Sequence, residues 1–293
     1  MATMTWETRA KLILSLRYTL LILISAIFIF PIVFMVVSSL KPDLQLLRDS
    51  GSLRAFLPIG DISLNNYAFA FERVPVVQFA FNSVFTTVVA VLASILLNSM
   101  AAFSFAFLRW RGKKLMLTLI IATFIVPFEV IAIPLLLVVN NLPWLGADGL
   151  EIGWLNSYHV QIIPFIADSL GIFLFYQYFR DLPDELVEAA RIDGASLWQI
   201  YARIVMPIAG PILATVAILK FLLMWNAYIW PLMTVRTEEL RPIMVGLQYF
   251  FQRYTYWGEI MAYLTLVTIP VLIFYLALQR AFIESIATSG IKG

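Results

Sequence analysis

Three ionisable residues stand inside long apolar runs of the chain: Glu129, Asp168 and Lys220. A charge in hydrocarbon is costly, and where one is kept it pairs with an opposite charge or lines a wet path. Counting about 1.5 Å per helical residue from the cytoplasmic end of each run, at Lys114, Phe179 and Pro207, puts them roughly 22, 18 and 20 Å deep, in one layer. Two carboxylates and an ammonium at a common depth make either an ion pair that fixes helix packing or a set of contacts to a passing solute. Lys220 lies too far from either surface to snorkel. Trp225 and Asn226 stand just beyond it and join the candidate lining of such a path. An ion-gradient-driven carrier with Glu129, Asp168 and Lys220 at its midplane is a rival use of the same residues. An intramembrane hydrolase built on Asp168 or Glu129 lacks a second motif that would set an acid against a base.

A second concentration of charge reads LPDELVEAARIDGASLWQIYARIVMPIAGP from Leu182. Pro183 suits a helix start, and Asp184, Glu185 and Glu188 complement the dipole of its first turns. The pattern predicts a helix over Asp184–Ile192, a turn at Asp193-Gly194, a Ser196 cap and a second helix over Leu197–Val205, with Pro207 opening the next apolar run. Leu197, Ile200, Tyr201 and Ile204 give that second helix one greasy face, which wants a partner. The partner is not an anionic lipid surface, because Arg180, Arg191 and Arg203 are outnumbered by Asp181, Asp184, Glu185, Glu188 and Asp193.

The elements that must position these residues are membrane spans. The 293 residues are 61% hydrophobic and 13% charged, with a mean hydropathy of +0.89. Apolar runs long enough to cross the bilayer cover Tyr18 to Ser39, Gln78 to Phe107, Lys114 to Val139, Tyr158 to Phe179, Pro207 to Met233 and Glu259 to Phe282. They lack the alternation of a membrane barrel, so the expected fold is all-α and integral to the membrane: six transmembrane helices with a helix-turn-helix loop between the fourth and fifth. The first span is read as a retained signal anchor, since no small-residue cleavage site follows it. Basic residues favour one side, above all in the RWRGKK turn at Arg109 to Lys114, and place both chain ends in the cytoplasm. The layout is then a cytoplasmic N-terminus (1–17), a transmembrane domain (18–283) with a cytoplasmic loop (181–206) and an outside loop (234–258), and a cytoplasmic tail (284–293). Pro127, Pro134 and Pro164 are expected to kink or loosen their spans.

Other chemistries find no footing. There is no cysteine, so no thiol site or disulfide exists. The single histidine, His159, is read as an interfacial polar residue rather than a metal ligand. A net charge of +2 gives no reason to expect a nucleic-acid partner. No G-x-x-x-x-G-K stretch is present to cradle a nucleotide.

EAARIDGAS followed by IVMP resembles the EAA loop in permease subunits of binding-protein-dependent ABC importers, with Glu188, Ala189, Ala190, Gly194, Ile204 and Pro207 at the family spacing. Met206 stands where leucine is usual. LNNYAFAF, FNS, MWNAYIWPL and the terminal GIKG are similar to carbohydrate permeases of the maltose-transporter type, while LPDELVEAARIDGAS and QRAF resemble glycerol-phosphate permeases as well. The resemblance implies a transport subunit and not an enzyme. It implies a second permease subunit, an ATPase dimer that binds the ATP and magnesium, and an extracytoplasmic solute-binding protein, all in a bacterial or archaeal inner membrane. It makes Glu188, Ala189, Ala190, Asp193, Gly194, Ile204 and Pro207 the ATPase-coupling residues: Glu188 meets a basic residue, the alanines permit close approach, and Gly194 supplies the bend. The tail resembles the family tail that lies along the ATPase dimer, with Ser285 and Ser289 where glycine is usual. Asp168 and Lys220 also depart from the family's neutral pattern. In the outside loop, LQYFFQRYTYW makes Gln248, Tyr249, Phe250 and Arg253 candidate contacts to the binding protein, although such aromatics equally suit an interfacial belt.

Overall fold

The computed structural model describes residues 6–146, 149–251 and 254–290, and nearly all of the regular structure is helical. Three helices are long and apolar enough to cross a membrane: α1 (Trp6–Ser39), and, after the short α2 (Asp43–Asp49) and α3 (Asn65–Arg73), α4 (Val76–Phe107), and much later a helix beginning at Trp257. The remaining runs form bent pairs, so the count of spans reaches six when each pair is taken as one.

Proline sets each break. The third run becomes α5 (Lys113–Thr123) and α6 (Phe128–Val139), bent by 105° where Pro127 caps the second piece. A residue before proline avoids the helical region, which ends the first piece. Pro134 lies inside α6 without dividing it. The fourth run is α7 (Tyr158–Ile162) with a 3-10 turn carrying Pro164, then α8 (Ser169–Arg180), bent by 41°. The fifth does not open at Pro207 as expected. Helix α9 (Asp184–Ile192) is followed by α10 (Leu197–Ile200), a π-turn over Tyr201–Val205 and α11 (Met206–Ile208), and only after an 82° bend does α12 (Gly210–Trp225) begin. Pro207 has no N–H for the turn below it, and the helix widens there. Nor does α12 reach Met233; it ends at Trp225, Asn226 donates back to the Leu222 carbonyl (2.8 Å), and α13 (Ile229–Thr234) is separate.

Between α6 and α7 the chain makes a β-hairpin, β1 (Pro143–Gly146) against β2 (Gly149–Ile152), antiparallel with Trp144 opposite Glu151. His159 stacks on Trp144 (4.0 Å between ring centres) and meets Trp154 edge-on. After α14 (Ile243–Gly246), the helix α15 spans Trp257–Gly290.

The chain divides into two compact units. One comprises Met1–Val74 and Leu247–Thr268. Its polar core is built on Lys41, wholly buried, which donates to the Arg54 carbonyl (2.6 Å) and to Asp49 (3.4 Å). Gln45 ties the same turn to Ile59 and Asp61, and Arg73 pairs with Glu259 at 2.9 Å. The other unit comprises Pro75–Gly246 and Ile269–Gly293. There α4 packs along α8 and α12, and the floor is aromatic: Phe103, Phe175, Phe179 and Tyr201 close round Ala102, Ala190, Ile200 and Val205.

Candidate functional site

The break between α7 and α8 leaves carbonyls at one end and N–H groups at the other without helical partners. Lys220, reaching from α12, donates to the Phe165 carbonyl on the first side (2.7 Å). Asp168 caps the second side, accepting from the Gly171 N–H at 2.8 Å. The two then meet each other, Nζ to Oδ2, at 2.6 Å. Asn98 of α4 completes the cluster: its amide donates to Asp168 Oδ2 (3.0 Å) and its oxygen accepts from the Asp168 N–H (3.2 Å). Ser94, one turn earlier, supports Asn98 at 2.8 Å. Gly171 leaves room for this arrangement, because a β-carbon there would displace the Asn98 amide.

The pair therefore splints a broken helix. Lys220 is 5% exposed and Asp168 32%, the latter onto a cavity of about 40 Å³ walled by Leu170, Leu174, Leu219 and Leu223. That volume admits a few waters and no sugar ring. Of the three charges the structure brings two together; Glu129 is exposed and takes no part in the cluster. Of the other candidates for the path, Trp225 is buried and stacked on Phe221, which in turn stacks on Phe274 at 3.9 Å. Asn226 serves as the α12 cap.

The charged segment has the two helices expected of it. Helix α9 keeps its predicted bounds, and Gly194 turns with φ of +81°. Ser196 accepts from the Gln199 N–H while the Gln199 side chain accepts from the Ser196 N–H, a reciprocal cap. The segment has two unlike faces. Inward, Val187, Ala190, Ile200, Tyr201 and Val205 are buried against Phe103, Phe175 and Phe179. Hydrogen bonds fasten it there: Tyr201 to Ser99 of α4 (2.8 Å), Arg191 to the Phe107 carbonyl (3.1 Å) and Tyr178 of α8 to the Ile208 carbonyl (2.7 Å). Outward, Glu188, Ala189, Asp193, Gly194 and Pro207 are exposed, as are Ile192 at 86% and Trp198 at 59%. Ala190 and, in part, Ile204 belong to the inner face, so the paired alanines point different ways.

In the later loop, Gln248 and Tyr249 are half-buried. Phe250 is buried against Tyr263 with the Arg73 guanidinium over its ring, which leaves no face of it for a docking protein. Arg253 lies outside the described residues.

Sequence reasoning passed over Asn98, Ser94, Gly171 and Ser99. A signal existed, since Ser94 and Asn98 are polar residues four apart within a membrane-length run and so share one helix face.

A family described as the binding-protein-dependent transport system inner membrane component matches residues 94–288, which include both sites. The chain belongs to this family. As a transport component it has relatives along most of its length. It is 30% identical over 272 residues to the arabinooligosaccharides transport system permease protein AraQ of Halalkalibacterium halodurans, covering 92% of this chain and 93% of that one. It is 28% identical to the lactose transport system permease protein LacG of Rhizobium radiobacter over 93% of this chain and 94% of that one. The sn-glycerol-3-phosphate transport system permease protein UgpE of Salmonella typhi is 34% identical over 68% of each chain. The fold is shared with a chain of a bacterial ABC transporter involved in the import of the acidic polysaccharide alginate, at a TM-score of 0.76 and 24% identity over 96% of this chain and 100% of that one.

Proposed function

We propose that this chain is one of two permease subunits of an ATP-driven importer, taking up a sugar-like solute handed over by an extracytoplasmic binding protein. The observation that carries the reading is the two-faced segment α9 to α11. Its inner face is packed and hydrogen-bonded to α4 and α8, so a push on its outer face moves the helices beneath it. Its outer face offers acidic Glu188 beside bare Ile192 and Trp198, the mixture of charge and anchoring apolar side chains found at protein contacts. On this reading an ATPase subunit, itself holding ATP and magnesium, grips that face; Glu188 meets a basic residue, exposed Ala189 allows close approach, and Gly194 sets the angle between the helices. The segment and both chain ends are then cytoplasmic, and the loop over 234–258 faces the binding protein through Gln248 and Tyr249.

The solute is a neutral oligosaccharide or polyol. Support comes from the names of the arabinooligosaccharide and lactose relatives and from Lys220, whose charge is already answered by Asp168 and which so offers no free cation to a phosphate. The same pairing weighs against an ion-driven carrier, because Asp168 has no vacant proton or sodium site to cycle.

The test is co-purification from the native host followed by ATPase assay. The wild-type chain should bring down an ATPase and a second permease, and Glu188→Lys should lower solute-stimulated hydrolysis at least about tenfold, the loss of one buried charge pair. A chain that purifies alone, or a charge reversal without effect, overturns the coupling role. Uptake into vesicles of labelled arabinose oligosaccharide against labelled glycerol 3-phosphate decides the solute class.

A further inference from the structure

A cavity of about 740 Å³ opens beside the turn joining α4 to α5, and Arg109, Lys113, Lys114 and Arg180 line it against a single carboxylate, Asp184. Two of these cations are held to the wall. Lys113 donates to the carbonyls of Ala106 (3.3 Å) and Leu108 (3.0 Å), and Arg180 to the Tyr176 hydroxyl (3.1 Å). The other two, Arg109 and Lys114, are exposed, and no hydrogen bond or ion pair engages their side chains among the described residues. A concave site with more cations than it can neutralise concentrates anions.

The wall changes character on one side. Leu115 and Leu117 line the cavity, and along α5 Leu115, Met116 and Leu119 are exposed, the one hydroxyl among them, on Thr118, being turned back to the Lys114 carbonyl. Helix α5 also begins one of the bent candidate spans, so the cavity sits where that span starts. Trp110, also lining the cavity, is a residue type that favours the boundary between water and hydrocarbon. A cationic mouth continuous with a bare apolar helix face is complementary to an amphiphile.

We propose that this cavity binds the headgroup of an anionic phospholipid, the phosphate seated among Arg109, Lys114 and Arg180 and the acyl chains lying along α5. A free phosphate would satisfy the cations and leave the apolar track empty. Because Asp184 opens α9, the bound lipid touches the base of the segment α9 to α11, and lipid composition becomes an input to that segment's position.

Native mass spectrometry of the full-length chain in neutral detergent tests this, with phosphatidylglycerol and phosphatidylcholine of identical chains as probes. Wild type should retain phosphatidylglycerol and not phosphatidylcholine. Arg109→Gln with Lys114→Gln should weaken retention about thirtyfold, from roughly 1 kcal/mol per removed charge. The charge-preserving Arg109→Lys with Lys114→Arg should keep it. Equal retention of both lipids, no change in the neutralised variant, or loss of lipid from the charge-preserving variant while it remains folded overturns the proposal. Displacement of the lipid by millimolar inorganic phosphate does so as well, by making the cavity a free-anion site.

Discussion

Lys220 and Lys41 are both buried, both bonded to an aspartate, and both donate to a backbone carbonyl where the chain leaves regular structure. Their aspartates are placed differently. Asp49 is touched by Lys41 at 3.4 Å and by Arg48 at 3.7 Å, and the Arg48 side chain is largely in solvent. Asp168 has Lys220 as its charged partner and otherwise neutral donors, Asn98, Ser94 and the Gly171 N–H. The first pair has a second cation at its edge; the second has none. A buried pair is costly to break in proportion to what is left stranded, so the two lysines, alike in burial, should differ in consequence.

Removing the Lys220 charge is the strongest way to break the comparison. Lys220→Met should lower the stability of the full-length protein by about 3 kcal/mol, the lower end of the cost of breaking a buried pair because the stranded Asp168 carboxylate is partly exposed, measured as a fall in thermal unfolding midpoint in detergent and in uptake. Adding Asp168→Asn should recover most of it, since an amide oxygen can still accept from Gly171. Adding Glu129→Gln should recover nothing. Wild-type unfolding in Lys220→Met would end the splint interpretation. Lys41→Met should be milder, about 1–3 kcal/mol for the orphaned Arg54 carbonyl and the lost contact to Asp49; a loss as large as that of Lys220→Met would show that the second cation, Arg48, is not what separates the pairs. Arg48→Ala should cost less than about 1 kcal/mol, as exposed ion pairs do.

The smallest effect is a pH dependence. Burial by itself raises the Asp49 carboxyl, but hydrogen bonds from Lys41 and Gln45 and the charges of Lys41 and Arg48 outweigh it and hold it below its ordinary 3.8. A carboxyl depressed on folding adds stability that is whole above the ordinary value and is lost as pH falls through the folded one. Unfolding midpoints recorded below about pH 4 should therefore fall more steeply for wild type than for Asp49→Asn. Parallel curves would remove Asp49 from the account.

The two pairs also differ in how visible they were. A lysine in an apolar run announces itself, so Lys220 can be singled out from the sequence, with Asp168 and Glu129 as its candidate partners. Lys41 sits among polar residues and carries no such mark; its burial depends on Arg54 and Asp49 folding round it. Helix α9 and the Ser196 cap were legible because proline, acidic first-turn residues and Asp-Gly are local signals. Glu129 stands apart from the pair for a geometric reason: a rise per residue counts along an unbroken helix, and the 105° bend before Phe128 turns Glu129 onto a different axis. The hairpin at Pro143–Ile152 and the burial of Phe250 rest on contacts made across the fold, to His159 and to Arg73, that no local window contains.

The two-faced segment bears on how such chains can be recombined. If the segment couples to an ATPase as proposed, exchanging it between permeases by cutting at the charged borders, near 181 and 206, would carry over the outer face and strand Val187, Ala190, Ile200 and Tyr201 on a foreign bed. The transplantable module is the loop together with Ser99, Phe103, Phe107, Phe175 and Phe179 beneath it, and a chimera that leaves these behind inherits a recognition surface with nothing to pull on.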